Sequence, residues 1–529
     1  MTHDGARPPA GNGISRRRMI TLSSGSLVLG SASLALGNSV DSVAPIRRSS
    51  QFSYPFLLGI ASGDPWADSV VLWTRLVPDV YDPYAMPDRT VNVEWQVAND
   101  EYFNDVVADG TAKAFSEHAH SVHVEVFGLQ PGRWYFYRFR AGGHISEVGR
   151  TRTAPPRDST DPVRFVSASC QSLPDGYFNA YRHIRDTAPD FVMFLGDWIY
   201  ESDAATIDDP VRSHDAHDPV TLDEYRFRHA QYRLDPDLQA ASAVTPYIVT
   251  FDDHEIVDNW FALTDPNEPR EDRFEPRRTA AFRAFYEHLP LRAAARPSSQ
   301  GMKIHRRMQW GNMLDVFMLD TRQYRSATPC GGGRGSPECL ASAPTQRSML
   351  GSEQERWLHD GMLDSETSWR TIGQQIPMGR YDYLTDPNAS SFLMDRWDGY
   401  PQARNRLLEF IRDNEMWNVV VLSGDAHAHM ATDLTLDMAD PWSTPLASDM
   451  VCTSISTTGD GSGESRLEGS QNPHLRFSLW RRGYIEHYVD QDMWLSDFRT
   501  VPYVSKRGAP RETATRLAIE NGNPGLLEA

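Results

Sequence analysis

The stretch Phe191-Val192-Met193-Phe194-Leu195-Gly196-Asp197-Trp198-Ile199-Tyr200-Glu201 decides how the rest of the chain is read. Its leading apolar residues, Phe191 to Leu195, have the length and continuity of a strand buried on both faces. Gly196 permits a sharp turn, so Asp197 emerges at the C-terminal end of the strand and Tyr200 follows one turn later. In an open α/β sheet, that edge is where ligands bind. Elsewhere in the chain other apolar strands also break off into ligand-type side chains. Together these clusters predict one metal site.

From about residue 163, strands and helices alternate, which is the signature of an α/β domain. Strands are expected at 164–168, 191–195, 247–250, 314–319, 370–372 and 419–422, with a β segment at 483–489. Helices are expected at 176–187, 222–234, 273–288, 352–363 and 402–413. The polar stretch 202–219, rich in Asp and His, reads as a surface or lid loop. Residues 52–152 look different: β-branched and aromatic runs at 70–74, 91–97, 121–126 and 134–139 predict an all-β domain. Within it, Leu129-Gln130-Pro131-Gly132-Arg133-Trp134-Tyr135-Phe136-Tyr137 resembles the corner and penultimate strand of a fibronectin type III sandwich. Ala154-Pro155-Pro156 marks a linker. The predicted organisation is an N-terminal β-sandwich over 52–152, an α/β catalytic domain over 163–505, and a loose tail over 506–529.

The chain has 529 residues, of which 40% are hydrophobic and 11% aromatic, enough for more than one folded domain. A formal net charge of −19 leaves no basic surplus to hold nucleic acid or anionic membrane non-specifically. A phosphorylated substrate stays open, because a bound metal reverses the local field. At the N-terminus, Ser15-Arg16-Arg17-Arg18-Met19-Ile20 precedes a mildly apolar run broken by Ser and Gly, too short and polar for a stable membrane span. With the small residues Ala35-Leu36-Gly37 as a cleavage site, residues 1–37 read as a twin-arginine signal peptide. No later segment resembles a transmembrane anchor. The expectation is a soluble protein secreted, extracellular or periplasmic, through the twin-arginine export machinery. Such a compartment permits a disulfide between Cys330 and Cys339. Cys452 reads as a buried thiol.

The clusters are specific in content. Strand 164–168 ends in Ser169-Cys170-Gln171. The second ends in Gly196-Asp197 with Tyr200. Strand 247–250 runs into Phe251-Asp252-Asp253-His254-Glu255, with Asp258-Asn259 beyond. Strand 314–319 gives Asp320-Thr321-Arg322, and 370–372 leads to Gln374-Gln375. Strand 419–422 ends in Ser423-Gly424-Asp425-Ala426-His427-Ala428-His429. Each has a plain structural explanation alone, since an Asp after a strand is often a helix N-cap. Six such strand ends together are not explained that way.

The motifs around Asp197, Asp253 and Asp425, with Ser169-Cys170-Gln171, resemble those of the PhoD-type alkaline phosphatases, a branch of the calcineurin-like metallophosphoesterases. The β-sandwich front domain and the twin-arginine signal match as well. The resemblance spans the chain from the signal to about residue 505. It implies a four-layer α/β/β/α core around iron(III) and calcium. In that reading Cys170 and Tyr200 are anionic ligands to iron, His427 completes the iron side, and Asp197 bridges the metals. Asp253 and Asp425 supply oxygen to calcium, with Asn259 the weaker candidate. His254 sits over the phosphate as proton donor to the leaving oxygen, and Arg322 clamps the phosphate. The implied reaction is in-line attack on phosphorus by a metal-activated oxygen, releasing inorganic phosphate.

The ligand chemistry agrees. A strong Lewis acid holds Cys and Tyr as anions, and calcium takes hard oxygen donors in flexible geometry. A single helical turn would aim Asp197 and Tyr200 inward. An extended segment would put Asp425 and His427 on one side. Asp253 and His254, being adjacent, need a turn to reach the same site.

Three other readings compete. A phosphodiesterase, including a phospholipase D-like activity on phospholipid or polymeric diesters, uses the same centre, and motifs do not separate it from a monoesterase. A non-enzymatic secreted binding protein does not account for the ligand set. A serine-nucleophile phosphatase stays open in principle: the chain shows no nucleophile-elbow Gly-x-Ser-x-Gly, but that motif does not mark every serine-dependent enzyme.

Overall fold

The structure, a computed structural model, describes residues 52–529 apart from positions 83, 204, 206, 269, 387, 466 and 468. The proposed signal at 1–37 lies outside the described residues. Strand Phe191–Leu195 is buried along its whole length, as its unbroken apolar run requires. It pairs in parallel with Val163–Ala168 on one side and Pro246–Thr250 on the other. These are the heart of a ten-stranded sheet. A seven-stranded sheet lies against it, its parallel centre formed by Leu314–Met318, Trp369–Gly373, Val419–Ser423 and Ala447–Val451.

Alternation along these strands divides the core into layers. Phe165, Phe191, Met193, Leu195 and Ile248 of the first sheet meet Leu314, Val316, Met318, Val420 and Leu422 of the second. The opposite face of the first sheet, through Val166, Val192, Phe194 and Val249, meets residues of helices Ala180–Thr187, Leu222–Arg233 and Glu271–His288. The outer face of the second, through Phe317, Ile372 and Val421, is covered from helices Gly351–Leu363 and Pro401–Asp413. The order is helix, sheet, sheet, helix. Helix Leu222–Arg233 begins with a capping box in which Thr221 and Glu224 satisfy each other's backbone N–H groups. Among the described residues, no helix is long and apolar enough to cross a membrane.

The N-terminal strands are not walled off from this core. Ile60–Gly63 pairs in parallel with Pro246–Thr250, and Ser69–Arg75 and Ser121–Phe127 extend the same ten-stranded sheet. A five-stranded sheet holding Val91–Ala98 and Trp134–Ala141 covers them, and Val70, Leu72 and Val124 share a core with Val93, Val97, Tyr137 and Phe139. The corner before Trp134 is closed by the Gln130 N–H donating to the Tyr135 hydroxyl at 2.9 Å.

The expectation of a loose tail over 506–529 is corrected. Glu512–Glu520 and Asn523–Glu528 are the outer strands of the ten-stranded sheet. Leu517, Ile519 and Leu526 enter the core between the sheets. Burial in these two strands is confined to the short run Leu517, Ala518 and Ile519 and to Leu526, with mostly exposed residues around them, too little apolar sequence to stand out as a strand. The 202–219 loop is fastened rather than free. The guanidinium of buried Arg228 donates to the carbonyls of Tyr200 and Glu201 at one end and of Ala216 and His217 at the other. Cys330 and Cys339 form a disulfide, and Cys170 and Cys452 are buried free cysteines.

Candidate active site

The C-terminal ends of the two parallel strand sets meet at one edge, where Ser169 after the first sheet bridges Ser454 after the second. The chain turns off each strand abruptly. Cys170, Asp197, Asn259, Asp425 and His427 all have φ between 53° and 62°. In a residue with a Cβ this conformation costs of order 1–2 kcal/mol, and such outliers concentrate at functional sites. Gly196 has φ 105°, and a Cβ there would lie 2.5 Å from Asp252 Cβ. Two local expectations change accordingly. Asp197 and Tyr200 are brought together by bends rather than a helical turn, and Asp425 and His427 lie in bends rather than extended chain. The turn needed at Asp253 and His254 is present: the N–H groups of Ile256 and Val257 both donate to the Asp253 carbonyl at 2.8 Å.

Two donor clusters result. Cys170 Sγ, an Asp197 oxygen and a His427 ring nitrogen lie within 4.8 Å of one another, and so do donor atoms of Asp197, Asp253 and His254. Asp197 belongs to both. The Tyr200 hydroxyl donates to Asp197 Oδ2 at 2.9 Å and lies 3.1 Å from His427 Nε2. Asp425 is held by Arg396, whose Nε donates to Oδ2 at 2.6 Å. Asn259 stands beside the second cluster, its backbone N–H donating to Asp253 Oδ2 at 2.8 Å and its side-chain amide to Asp258. His254 stacks on Tyr200 with ring centroids 4.1 Å apart, and its Nδ1 lies 2.7 Å from Glu201 Oε2.

Arg322, expected to clamp phosphate, is buried among carboxylates. Its guanidinium is fully buried, donates to Asp252 at 2.5 Å and Asp395 at 2.8 Å, and lies 3.3 Å from Asp253. It steadies carboxylates under the site through Nε and Nη1, while Nη2 makes no hydrogen bond among the described residues.

The electrostatics ask for cations. Burial, reinforced by neighbouring carboxylates, pushes the Cys170 thiol, the Tyr200 phenol and the Asp197 carboxyl well above their usual values. Burial holds His427 well below the ordinary imidazole range, with Arg482 adding to the effect. Burial also opposes charging of His254, but Glu201, Asp253 and Asp197 outweigh it and hold the imidazole well above its ordinary value. Among the described residues, Asp197 Oδ1 is buried with no hydrogen-bond partner. A shared carboxylate with an orphaned oxygen, flanked by thiol, phenol and imidazole on one side and oxygen donors on the other, fits bound metal.

Sequence reasoning gave no role to Glu201, Asp252, Asp395, Arg396 or Thr457. The Thr457 hydroxyl lies 2.8 Å from the Cys170 carbonyl and 3.0 Å from the Tyr200 hydroxyl. Glu201 ends the stretch that organises the fold, so its position was readable. Asp395 and Arg396 come from a segment with no strand-end signature. Thr457 lies in a Ser/Thr run that looks like ordinary loop.

The four layers and their donor-rich edge are the arrangement of the metallophosphoesterase class. Residues 165–498 match the PhoD-like phosphatases, and residues 42–155 match the PhoD-like phosphatase N-terminal domain. Alkaline phosphatase D of Bacillus subtilis (strain 168) is 39% identical over 518 residues, covering 96% of this chain and 88% of the relative. The solved structure of PhoD matches with a TM-score of 0.87 at 39% identity, covering 90% of this chain and 92% of that one. The purple acid phosphatase PPD1 from yellow lupin (Lupinus luteus) seeds shares the fold, with a TM-score of 0.52 at 13% identity over 88% of this chain and 74% of its own. The chain belongs to the PhoD-like phosphatase family and is a phosphoric ester hydrolase.

Proposed function

We propose that this protein is an exported alkaline phosphatase whose active site is the convergence of Cys170, Asp197, Tyr200, Asp253, Asn259, Asp425 and His427. The observation that carries the reading is the Asp197 carboxylate, common to both donor clusters and with one oxygen unpartnered among the described residues. Cys170, Tyr200 and His427 suit iron(III), which stabilises thiolate and phenolate. Asp253, Asn259 and Asp425 offer the hard oxygen donors that calcium takes. When bound, the metals supply Lewis acidity and offset negative charge on the phosphoryl oxygens.

The chain's own residues do the remainder. Glu201 faces His254 Nδ1 and fixes the ring over Tyr200, leaving Nε2 to hand a proton to the departing alcohol oxygen. Arg322 keeps Asp252 and Asp253 in place from below. The substrate is a small phosphate monoester, with phospholipid or polymeric diesters as the alternative. Ser15-Arg16-Arg17-Arg18-Met19-Ile20 supports delivery by twin-arginine export.

One experiment tests the whole reading. The full chain is expressed in an exporting host and recovered from outside the cytoplasm. Its N-terminus, iron and calcium content, and rates on matched mono- and diesters are then measured. We expect processing near residue 37, both metals, faster monoester turnover, and loss of iron in Cys170→Ser. Full activity without metal, or iron retained by Cys170→Ser, would refute the site assignment.

A further inference from the structure

We propose that the disulfide-closed loop between Cys330 and Cys339 is a positioning element for the active site, holding Asp395 and Arg396 against it. The inference rests on the site reading above. The contacts run without a gap. Inside the loop, Arg334 and Gly335 pair antiparallel with Leu393 and Phe392. The Met394 N–H donates to the Gly333 carbonyl at 3.0 Å. The next two residues are the ones delivered to the site. Asp395 accepts from Arg322 at 2.8 Å and from Arg325 at 2.5 Å, and Arg396 Nε donates to Asp425 at 2.6 Å. A second line reaches the same place. The Arg334 guanidinium lies 4.5 Å from the centroid of the Tyr383 ring, and the Tyr383 hydroxyl accepts from Arg396 Nη1 at 2.7 Å.

The loop has little besides the crosslink to give it shape. Its sequence includes Gly331-Gly332-Gly333, whose backbone freedom is costly to fix. Its paired strand is two residues long, too short to hold by itself. Helix Pro337–Ser342 buries no residue. Closing the loop covalently removes most of those alternatives from the chain. The disulfide also packs on the strand it steadies: a Cβ on Gly335 would lie 3.0 Å from Cys330 Sγ and 2.8 Å from Met394 Cε. Groups that orient metal-site carboxylates in this way are coupled to metal affinity and turnover.

The test uses the full-length enzyme carrying either Cys330→Ser with Cys339→Ser, or Arg334→Ala, beside Asp197→Asn. Two readouts are taken: the Ca²⁺ concentration that half-restores the chelated protein's metal-dependent thermal shift, and kcat/KM on nitrophenyl phosphate after metal reloading. The double serine variant is expected to need more Ca²⁺ and to lose roughly 10- to 100-fold in one or both. Arg334→Ala, which leaves the crosslink intact, should move both readouts in the same direction by less. Arg334→Lys should recover part of that loss, because an ammonium also sits over an aromatic face. If the double variant does not fold, the Arg334 pair decides alone. Wild-type values in the double variant and in Arg334→Ala, with Asp197→Asn inactive, would overturn this inference and leave the site intact. An active Asp197→Asn would overturn the site, and the inference with it.

Discussion

His254 is where position and chemistry separate most clearly. It sits on the Tyr200 ring with Nδ1 toward Glu201, and no strand or helix depends on it. His254→Ala should therefore keep both metals and the melting temperature while slowing turnover by roughly 10²–10⁴-fold, the usual scale for general acid catalysis. The loss should shrink for nitrophenyl esters, whose leaving groups need little protonation. Equal losses on alkyl and nitrophenyl esters would mean that the ring orients phosphate instead. At this scale the sequence was informative about identity and poor about direction. Cys170, Asp197, Tyr200, Asp253, His254 and His427 converge as their strand-end positions suggest. Their aim depends on left-handed backbone at Cys170, Asp197, Asp425 and His427, which no periodicity encodes because it belongs to single residues under tertiary constraint. Arg322 shows what position alone leaves out: its carboxylate partners Asp252 and Asp395 lie far away in sequence.

Among elements, central strands and amphipathic helices were legible and the C-terminal edge strands were not. Phe191–Leu195 and Val419–Ser423 are buried on both faces and read as unbroken apolar runs. Helices such as Gly351–Leu363 and Pro401–Asp413 start within one residue of where the pattern places them. Glu512–Glu520 shows burial only at Leu517, Ala518 and Ile519, so its sequence reads as tail. That strand nevertheless covers Met493–Val501 along nearly its whole length. Removing residues beyond 509 should expose the Met493–Val501 edge and the apolar residues packed with Trp494 and Phe498. Loss of Leu517, Ile519 and Leu526 from the core should cost several kcal/mol, at about 1.5–3 kcal/mol per buried side chain. We expect the truncated protein to melt lower or to aggregate on expression. Unchanged melting and solubility would show that the two strands are dispensable.

For the molecule as a whole, the largest fact is continuity. One ten-stranded sheet carries strands from the N-terminal region, the strands under the site and the C-terminal pair, so its stability reports on all three together. A buried imidazole in that sheet gives it a pH dependence. His487 lies between Ser167 and Ser496, within 3.0 Å of both hydroxyls, stacked on Phe165 and against Trp494. Burial lowers its pKa to about 3. The unfolded chain, with an ordinary imidazole pKa of about 6.5, takes up the proton first. The stability this group contributes is therefore complete above about pH 6.5 and falls away as pH drops toward 3. Buried carboxyls act in the opposite sense. Asp449, raised by burial to about 6, favours its neutral form in the folded state, so the overall acid curve mixes the two signs. A difference measurement isolates the imidazole. His487→Phe keeps an aromatic ring beside Phe165 but removes the imidazole's hydrogen bonds to two hydroxyls, a cost that does not titrate. The variant should be less stable than the wild type at about pH 8. The gap should then narrow by about 1.4 kcal/mol per pH unit below about 6.5. Denaturant unfolding of both proteins across that range measures the gap directly, and a gap that stayed constant down to pH 4 would mean that His487 is protonated in the folded core.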